Sequence, residues 1–272
     1  MTRARTASSA ALALVAALVA GLGACTKPAP VPSAEAATSF STTLPGPAGV
    51  PPTADAAPDA RGAQGWVALL DATPASLAAN WRGYKRPAMP ANWRFENGGA
   101  TYVPSATAEG RGDLVSKEQY GDFELEYEWR VAPKANSGVM WRVSEDQEYP
   151  WQTGPEQQVL DDAGHLDGRT PSHRAGALYD LVVPPAGVAR PVGAWNRARV
   201  VARGSRVTLS LNGRPTADVD FASDSGRALL AASKFKTTPR FAGNARGHVV
   251  LQDHGDRVWF RNVRVRRLDG AR

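Results

Sequence analysis

The segment from Asp122 to Val131 alternates apolar and polar side chains over ten residues. Because successive side chains of a β-strand point to opposite faces, this pattern predicts a strand that buries one face only. Shorter segments of the same kind recur along the chain, separated by Gly, Pro, Asn and Asp, and no long amphipathic helix pattern competes with them. We therefore expect an all-β sandwich of two antiparallel sheets, and a length of about 200 residues favours a jelly roll.

Turn residues predict how some of these strands are connected. Asn212-Gly213 follows a predicted strand and is typical of a tight β-hairpin. Nearer the C-terminus, Gly247–Val265 is interpreted as two strands joined by a tight turn at Asp253–Asp256. Gln252 and His254 share one face there, and a polar pair at the end of a buried strand indicates either hydrogen-bonded structure or a site.

The N-terminus has the pattern of an export signal. Arg3 and Arg5 precede the apolar run Ala10–Val19, which is shorter than the roughly 20 residues of a transmembrane helix. This order predicts a secretory signal peptide over residues 1–24. The next residue, Cys25, is the only cysteine, so the chain cannot form an internal disulfide.

Cys25 indicates how the exported protein is held. Leu22-Gly23-Ala24-Cys25 resembles the bacterial lipobox, whose cysteine is lipidated and becomes the N-terminus. The alternative is an ordinary cleaved signal peptide in which Cys25 is not modified. Thr26 differs from the aspartate that retains enterobacterial lipoproteins in the inner membrane. We therefore expect an exported bacterial lipoprotein that is periplasmic, anchored to the outer membrane through Cys25. Residues 25–64, rich in Pro, Ala, Ser and Thr, predict a disordered tether before a folded domain over residues 65–270.

Charge gives little reason to expect a nucleic-acid partner. The formal net charge is +6, and it falls to +4 when Arg3 and Arg5 leave with the signal. The remaining basic residues are interspersed with acids, except in Arg261–Arg267, where arginine alternates with Asn or Val. That alternation is typical of a solvated strand face, so we expect no nucleic-acid binding.

Several short segments resemble the 3-keto-disaccharide hydrolase family. They are Leu114–Phe123, Asn136–Val139, Thr153–Asp162, Pro191–Asn196, Ser233–Phe235, Leu251–Gly255 and Phe260–Asn262. The resemblance extends from Trp66 to Leu268 and implies a concanavalin A-like lectin/glucanase jelly roll. The chain departs from close relatives where they often carry Glu-His-Trp, because Thr208, Leu209 and Ser210 stand there. If that histidine is catalytic in some relatives, this chain lacks it.

Glu156 and Gln158 are the first candidate site residues, since they lie two apart on a predicted strand and face the same way. Glycan-cleaving relatives of this jelly roll place acidic residues on such a strand of the concave face. A carboxylate there can act as general acid or base once burial raises its pKa; a salt bridge to an arginine is the alternative. Asp161 has the opposite parity and is expected to order its loop, to bind a cation or to contact substrate.

Three cationic or titratable residues complete the predicted catalytic set. Arg142 is expected to point inward, where it needs Glu156 or a substrate oxygen as partner. Lys234 is expected to place its ammonium near a developing enolate, with a surface position as the alternative. His254 is the general-base candidate, and otherwise a hydrogen-bonding loop residue.

Aromatic and amide side chains are candidates for substrate binding. Trp141 and Trp151 flank the acidic strand, and the flat face of an indole suits the apolar face of a pyranose. Gln252 is expected to contact the same substrate. His165 and His173 lie in a Gly-rich loop and are expected to face solvent.

The resemblance implies a reaction that these groups can perform. A ketone at C3 of a glycoside acidifies the hydrogen at C2, so that a base can remove it and the resulting enolate can expel the aglycone from C1; addition of water then completes hydrolysis. His254 or Glu156 would be the base, and Lys234 or Arg142 would stabilise the enolate. A divalent metal is a possible cofactor in place of that cation, although no dense ligand motif such as His-x-Glu-x-His is present. Direct acid-assisted hydrolysis by Glu156 and a second carboxylate is the lesser route.

Two functions follow as expectations. The first is a lipoprotein enzyme that cleaves 3-keto-glycosides, 3-keto-disaccharides among them, with a sugar oxidoreductase as the partner that makes the 3-keto substrate. The second is a non-catalytic, lectin-like carbohydrate-binding module on the cell envelope. Convergence of Glu156, Arg142, Lys234 and His254 on one pocket would favour the enzyme.

Overall fold

The computed structural model describes residues 65–104 and 110–268. The predicted signal peptide, the lipidated Cys25 and the tether up to residue 64 lie outside the described residues. Within the described ranges, no helix has both the length and the apolar composition needed to cross a bilayer.

The described residues form thirteen strands and two short α-helices. The strands are β1 (Trp66–Leu70), β2 (Trp81–Gly83), β3 (Trp93–Glu96), β4 (Gly99–Tyr102), β5 (Leu114–Tyr120), β6 (Phe123–Val131), β7 (Asn136–Val143), β8 (Glu156–Leu160), β9 (Asn196–Arg203), β10 (Arg206–Leu211), β11 (Arg214–Asp220), β12 (Gly247–Leu251) and β13 (Val258–Arg267). The helices are α1 (Pro74–Asn80) and α2 (Asp224–Ala232). The eight-stranded sheet has the order β11-β10-β9-β6-β13-β4-β3, with β1 also paired to β13, and the five-stranded sheet has the order β2-β5-β12-β7-β8. The predicted antiparallel jelly-roll sandwich is confirmed.

Strand β6 shows why the two sheets pack together. Its inward side chains are buried between the sheets, and they are Phe123, Leu125, Tyr127, Trp129 and Val131. Its outward glutamates form ion pairs with arginines of the neighbouring strands, as in Glu128 with Arg261 at 2.6 Å and Glu126 with Arg264 at 2.6 Å. The arginine-rich end of the chain is therefore an ion-paired outer sheet face, as its alternation with Asn and Val predicted.

The hairpin prediction at Asn212-Gly213 is confirmed. Strands β10 and β11 pair antiparallel, and the two turn residues have φ values of 52° and 79°. Positive φ at both central positions is the geometry that Asn-Gly favours in a two-residue hairpin.

The prediction of a tight turn at Asp253–Asp256 is wrong. Strand β12 pairs with β5 and β7 in the five-stranded sheet, whereas β13 pairs with β1, β4 and β6 in the eight-stranded sheet. The intervening residues 252–257 therefore cross from one sheet to the other, a distance of about 10 Å. This crossover places Gln252, Asp253 and His254 just beyond the end of β12, the central strand of the five-stranded sheet.

Candidate active site

A cavity of about 290 Å³ lies on the outer face of the five-stranded sheet. Strands β7 and β8 form its floor, and its walls come from the crossover after β12 and from the loops around residues 149–151, 167, 179 and 234. Six of the predicted site residues line it, and they are Trp151, Glu156, Gln158, Lys234, Gln252 and His254. A depression of about 260 Å³ on the other sheet borders Glu126 and Arg264, whose charges already neutralise each other.

Glu156 is the most deeply placed acid of the cavity. It opens β8 opposite Met140, and its side chain occupies space above Gly138, where a Cβ would come within 1.8 Å of Glu156 Oε1. Gly138 is therefore needed for the carboxyl to fit. The Gln158 amide lies beside this carboxyl, with one end 3.1 Å from Glu156 Oε1 and the other 3.2 Å from Asn136 Oδ1. Desolvation by burial raises the pKa of Glu156 to about 8, against the opposing effect of the Lys234 charge.

Lys234 reaches the cavity from a 3₁₀ turn, Lys234–Thr237, that directly follows α2. Ser233 caps this turn by accepting from the backbone N–H of Phe235 at 3.1 Å. The Lys234 ammonium lies 4.2 Å from the centre of the Tyr179 ring, within the range of a cation–π contact. Desolvation lowers the pKa of Lys234, while the Glu156 charge opposes that change.

A second layer of residues holds Lys234 in place. Asp180 accepts from the backbone N–H of Lys234 at 2.8 Å, and its other oxygen lies 3.0 Å from His173 Nε2. The His173 ring stacks on Tyr179 with centroids 4.4 Å apart. The expectation that His173 faces solvent is therefore wrong, because its ring is half-buried between an acid and an aromatic ring.

His254 lies on the crossover loop and is exposed at the mouth of the cavity. Its Nε2 lies 3.5 Å from Asn136 Nδ2, and its Nδ1 lies 3.8 Å from an oxygen of Asp256. Its ring meets that of His165 edge to face at 5.8 Å. His165 is half-buried beside it, which corrects the expectation that this residue faces solvent.

Gln252 and Asp253 differ in their role on the same loop. Gln252 lines the cavity, and its Oε1 is buried and has no hydrogen-bond partner within the described part of the chain. Asp253 instead ties the loop down, because its carboxylate accepts from the backbone N–H of Gly112 at 2.7 Å and pairs with Arg111 at 3.2 Å. The amide oxygen of Gln252 therefore has an unused capacity to accept a hydrogen bond beside the cavity.

Sequence reasoning missed a second acid of the cavity, Asp113. Its Oδ1 accepts from the backbone N–H of Asp253 at 2.8 Å, and desolvation raises its pKa to about 7. The residue precedes β5 and enters the cavity only because β5 pairs with β12. No local motif marks it, so only the strand pairing could have identified it.

Two stacked aromatic side chains line the cavity mouth, and we call the pair the aromatic shelf: Tyr149 and Trp151. Their rings are nearly parallel, at 10°, with centroids 6.1 Å apart, and Tyr149 is 50% exposed. The predicted role of Trp151 fits this position, whereas Tyr149 was not identified from sequence. The prediction for Trp141 is wrong, because its side chain is fully buried between the two sheets.

Arg142 does not join Glu156, and that prediction is wrong. Its guanidinium donates to the carbonyls of Gly121 at 2.9 Å and Gly204 at 2.5 Å, and it pairs with Asp122 at 3.0 Å. Its backbone has a φ of 51°, in the left-handed region, which breaks the strand alternation after Met140. The side chain therefore leaves the face predicted by strand parity and fastens the ends of neighbouring strands.

Asp161 and the Thr208-Leu209-Ser210 segment also lie away from the cavity. Asp161 accepts from the backbone N–H groups of Lys134 at 2.7 Å and Gly164 at 3.0 Å, so it orders its loop, as one of the expectations had it, and its predicted substrate contact is wrong. Residues 208–210 belong to β10 of the other sheet. The absence of Glu-His-Trp there removes no side chain from the described lining of this cavity.

The cavity thus combines three chemical groups that suit acid–base catalysis. Glu156 is mostly protonated at neutral pH, because its pKa is about 8. The Lys234 ammonium offers a positive charge, and the His254 imidazole is accessible from solvent. A ring nitrogen of His165, one of His254 and a carboxylate oxygen of Asp256 also lie within 4.8 Å of one another, which is the one group of this kind in the described ranges that could hold a metal ion.

Comparisons with known proteins agree on one family. Residues 65–266 match the family model described as the 3-keto-alpha-glucoside-1,2-lyase-like domain. The 3-keto-disaccharide hydrolase of Bacteroides thetaiotaomicron is 31% identical over 234 residues, which cover 76% of this chain and 80% of that protein. The crystal structure of a proposed glycosyl hydrolase from Parabacteroides distasonis is similar with a TM-score of 0.67 at 25% identity, covering 75% of this chain and 95% of that one. Another from the same organism has a TM-score of 0.55 at 22% identity over 69% of this chain and 99% of that one, which is a likeness of fold.

Proposed function

The chain belongs to the 3-keto-alpha-glucoside-1,2-lyase-like family, and we propose that it cleaves the glycosidic bond of 3-keto-glycosides, 3-keto-disaccharides among them. One observation carries the proposal: a single cavity joins a protonated carboxyl at Glu156, the Lys234 ammonium and the His254 imidazole. These are the acid, the enolate stabiliser and the base that elimination from a 3-keto-glycoside needs.

Each group has one role in the proposed reaction. His254 removes the proton from C2, and the electron pair of that C–H bond forms an enolate whose oxygen at C3 lies near Lys234. The enolate then re-forms the ketone and a C1–C2 double bond while the C1–oxygen bond breaks. Glu156 donates its proton to the departing aglycone oxygen, and addition of water at C1 makes the net reaction a hydrolysis.

Burial explains why Glu156 suits the acid role. A carboxyl with an ordinary pKa would be ionised at neutral pH and could not donate a proton. Desolvation keeps most Glu156 carboxyls protonated, and the nearby Lys234 charge limits how far the pKa rises. The proposed acid, Glu156, thus lies on the buried floor of the cavity, and the proposed base, His254, lies at its exposed mouth.

The aromatic shelf gives the substrate a second point of contact. Tyr149 and Trp151 present aromatic surface at the mouth, beside the Lys234 ammonium, which lies 5.6 Å from the Trp151 ring. A pyranose ring stacks on such a surface through its C–H face. We assign the shelf to a sugar aglycone, with the 3-keto ring placed deeper, over Glu156.

The shelf also supports a second candidate function, a lectin-like module that binds sugars without cleaving them. A turnover assay separates the two candidates. Residues 65–272 are incubated with a 3-keto-glucoside of a chromogenic aglycone and, in parallel, with the same glucoside carrying a hydroxyl at C3. We expect release from the ketone only, because only the ketone acidifies the hydrogen at C2. Binding of both compounds without release from either would establish the lectin-like module instead.

We also propose that the protein is an exported lipoprotein. The proposal rests on the pattern of residues 1–24, the lipobox-like LGAC ending at Cys25 and the tether-like composition of residues 25–64. The enzyme would then act in the periplasm at the outer membrane, on a 3-keto substrate supplied by an oxidation of the sugar at C3.

The lipid anchor is checked by changing Cys25→Ala in cells that express the full chain. The wild-type protein is expected in the outer-membrane fraction, and the variant in the soluble periplasmic fraction, because a lipidated cysteine holds the chain at the membrane. Equal distribution of the two proteins would contradict the anchor, and detection of each mature N-terminus by mass spectrometry would show whether the signal is removed.

A further inference from the structure

The outer face of the eight-stranded sheet, on the opposite side of the sandwich from the cavity, carries more arginine than acid. Glu124 of β6 shows the pattern, because it pairs with Arg199 of β9 at 2.6 Å on one side and with Arg266 of β13 on the other. Glu126 likewise lies between an arginine of β9 and one of β13. We call the following outward residues the arginine face: Arg130, Arg197, Arg199, Arg203, Arg257, Arg261, Arg264 and Arg266, with Glu124, Glu126 and Glu128.

The glutamates of this face lie beneath the arginines. The Glu124 side chain is only 6% exposed, whereas those of its partners Arg199 and Arg266 are 49% and 35% exposed. The same order holds for Glu126 and its two partners. Solvent therefore meets guanidinium groups rather than carboxylates, and the eight arginines exceed the three glutamates by five positive charges.

Tryptophan rings lie among these guanidinium groups. Arg130 lies between two of them, 4.9 Å from the centre of the Trp195 ring and 4.5 Å from that of Trp259, and Arg261 lies 4.0 Å from Trp195. Indole rings favour the boundary between water and lipid, and guanidinium groups bind phosphate through paired N–H donors. This combination suits an anionic lipid headgroup layer.

The chain enters the folded domain beside the same surface. Strand β1 pairs with the arginine-bearing end of β13, and the Trp66 ring lies 4.6 Å from the Arg264 guanidinium and 5.1 Å from that of Arg266. The predicted tether, residues 25–64, ends immediately before β1. It therefore joins the domain at the arginine face and not at the cavity.

We propose that the arginine face docks on an anionic phospholipid surface. Docking there holds the eight-stranded sheet against the membrane and leaves the cavity, on the other sheet, open to the aqueous side. This orientation rests on the lipid anchor of the proposed function, whereas binding of the face to lipid does not. Salt screens exposed charges, so the face binds reversibly and orients the anchored domain rather than holding it at the membrane by itself.

Vesicle binding is measured on the chain from Thr26 onward, which lacks the predicted signal and the lipid but contains every described strand. Co-sedimentation is followed at low salt with phosphatidylcholine vesicles, with and without phosphatidylglycerol. We expect binding only when the anionic lipid is present, and release when salt is added. Neither lipidation nor turnover enters this measurement, so its failure is distinct from a failure of the proposed function.

The triple variant Arg197→Gln, Arg199→Gln, Arg203→Gln removes three charges from β9. Glu124 and Glu126 keep their partners on β13, so the ion pairs that cover them are not all lost. Affinity for the anionic vesicles is expected to fall at least about tenfold, since each basic residue near the surface contributes to binding. Turnover of the 3-keto-glucoside should be unchanged, which also verifies that the variant is folded.

A control variant removes the same charge from another part of the surface. Arg86→Gln, Arg240→Gln and Arg246→Gln change three exposed arginines in the loops next to β2 and β12 of the five-stranded sheet, and this triple variant should bind like the wild type. Equal loss in both triple variants, or binding that does not depend on phosphatidylglycerol, would overturn the proposal. Binding of the soluble polyanion heparin without binding to the anionic vesicles would also overturn it and assign the face to an anionic glycan.

Discussion

Glu156→Gln is expected to lower kcat for 3-keto-glycoside cleavage by about 10³-fold, within the 10²–10⁴ range of general acid–base catalysis. The amide has nearly the shape of the protonated carboxyl and keeps the contact above Gly138, but it has no acidic proton to give to the aglycone oxygen. The effect is measured by steady-state kinetics on the chromogenic 3-keto-glucoside. It should be smaller for an aglycone whose alcohol is strongly acidic, because such a group leaves without protonation.

The pH profile tests the same assignment through its sign. A group that must be protonated supports activity below its pKa, and activity is lost as pH rises through that value. Since burial raises the pKa of Glu156 to about 8, the wild type should lose activity around pH 8, and Glu156→Gln should lack that step. A wild-type rate that instead rises through pH 8 would make Glu156 the base.

Stability separates a lost proton donor from a damaged fold. The unfolded carboxyl ionises near its ordinary pKa of 4.5 and the folded one at about 8. Wild-type stability therefore falls as pH rises from about 4.5 to 8 and then levels off, while Glu156→Gln does not show this fall. The variant should be the more stable protein at pH 9, by up to about 5 kcal/mol. Glu128→Gln, on the outer face of the other sheet, is the control and should retain activity.

Alternation and turn chemistry were sufficient to predict several of the strands but not their partners. Strand β6 and the β10–β11 hairpin follow from local rules, because side-chain parity and positive φ act over a few residues. The crossover at residues 252–257 does not, since Asp, His and Gly suit a tight turn and an inter-sheet loop equally well. The pairing of β12 with β5 and β7, rather than with β13, makes this segment an inter-sheet loop.

Parity also explains which site residues were predicted correctly. Glu156 and Gln158 stay on one face because β8 is regular, so both line the cavity. The prediction for Arg142 is wrong because its left-handed φ of 51° interrupts the side-chain alternation of β7. No neighbouring residue type indicates that conformation. The prediction for Trp141 is wrong for a different reason. Its side chain faces the interior, where large aromatic side chains fill the space between the sheets.

The residues that sequence reasoning missed are distant in the chain from those it found. Asp113, Tyr149 and Tyr179 reach the cavity from three separate loops. Their types are common on protein surfaces, and only the tertiary structure shows that they converge. Desolvation likewise depends on all the walls together, so the raised pKa of Glu156 could be anticipated in direction from burial but not in extent.

Lys234→Met is expected to lower kcat by about 10²–10³-fold, the usual effect of removing one group that stabilises an oxyanion. Methionine keeps most of the aliphatic stem, but it carries no charge and loses the ammonium contact with the Tyr179 ring. The charge also holds down the pKa of Glu156, so its loss should raise that pKa further. The residual activity of the variant should then persist to higher pH than that of the wild type, which is measured from the alkaline limb of the kcat profile.

Lys236→Met is the control for this change, since Lys236 lies in the same 3₁₀ turn, is exposed and does not line the cavity. It should match the wild type in both kcat and pH profile. An unchanged alkaline limb in Lys234→Met would show that the ammonium does not act on Glu156, even if kcat falls. An unchanged kcat would remove Lys234 from the enolate step. Arg142 could not take its place, because it is held at the far end of β7 by two backbone carbonyls.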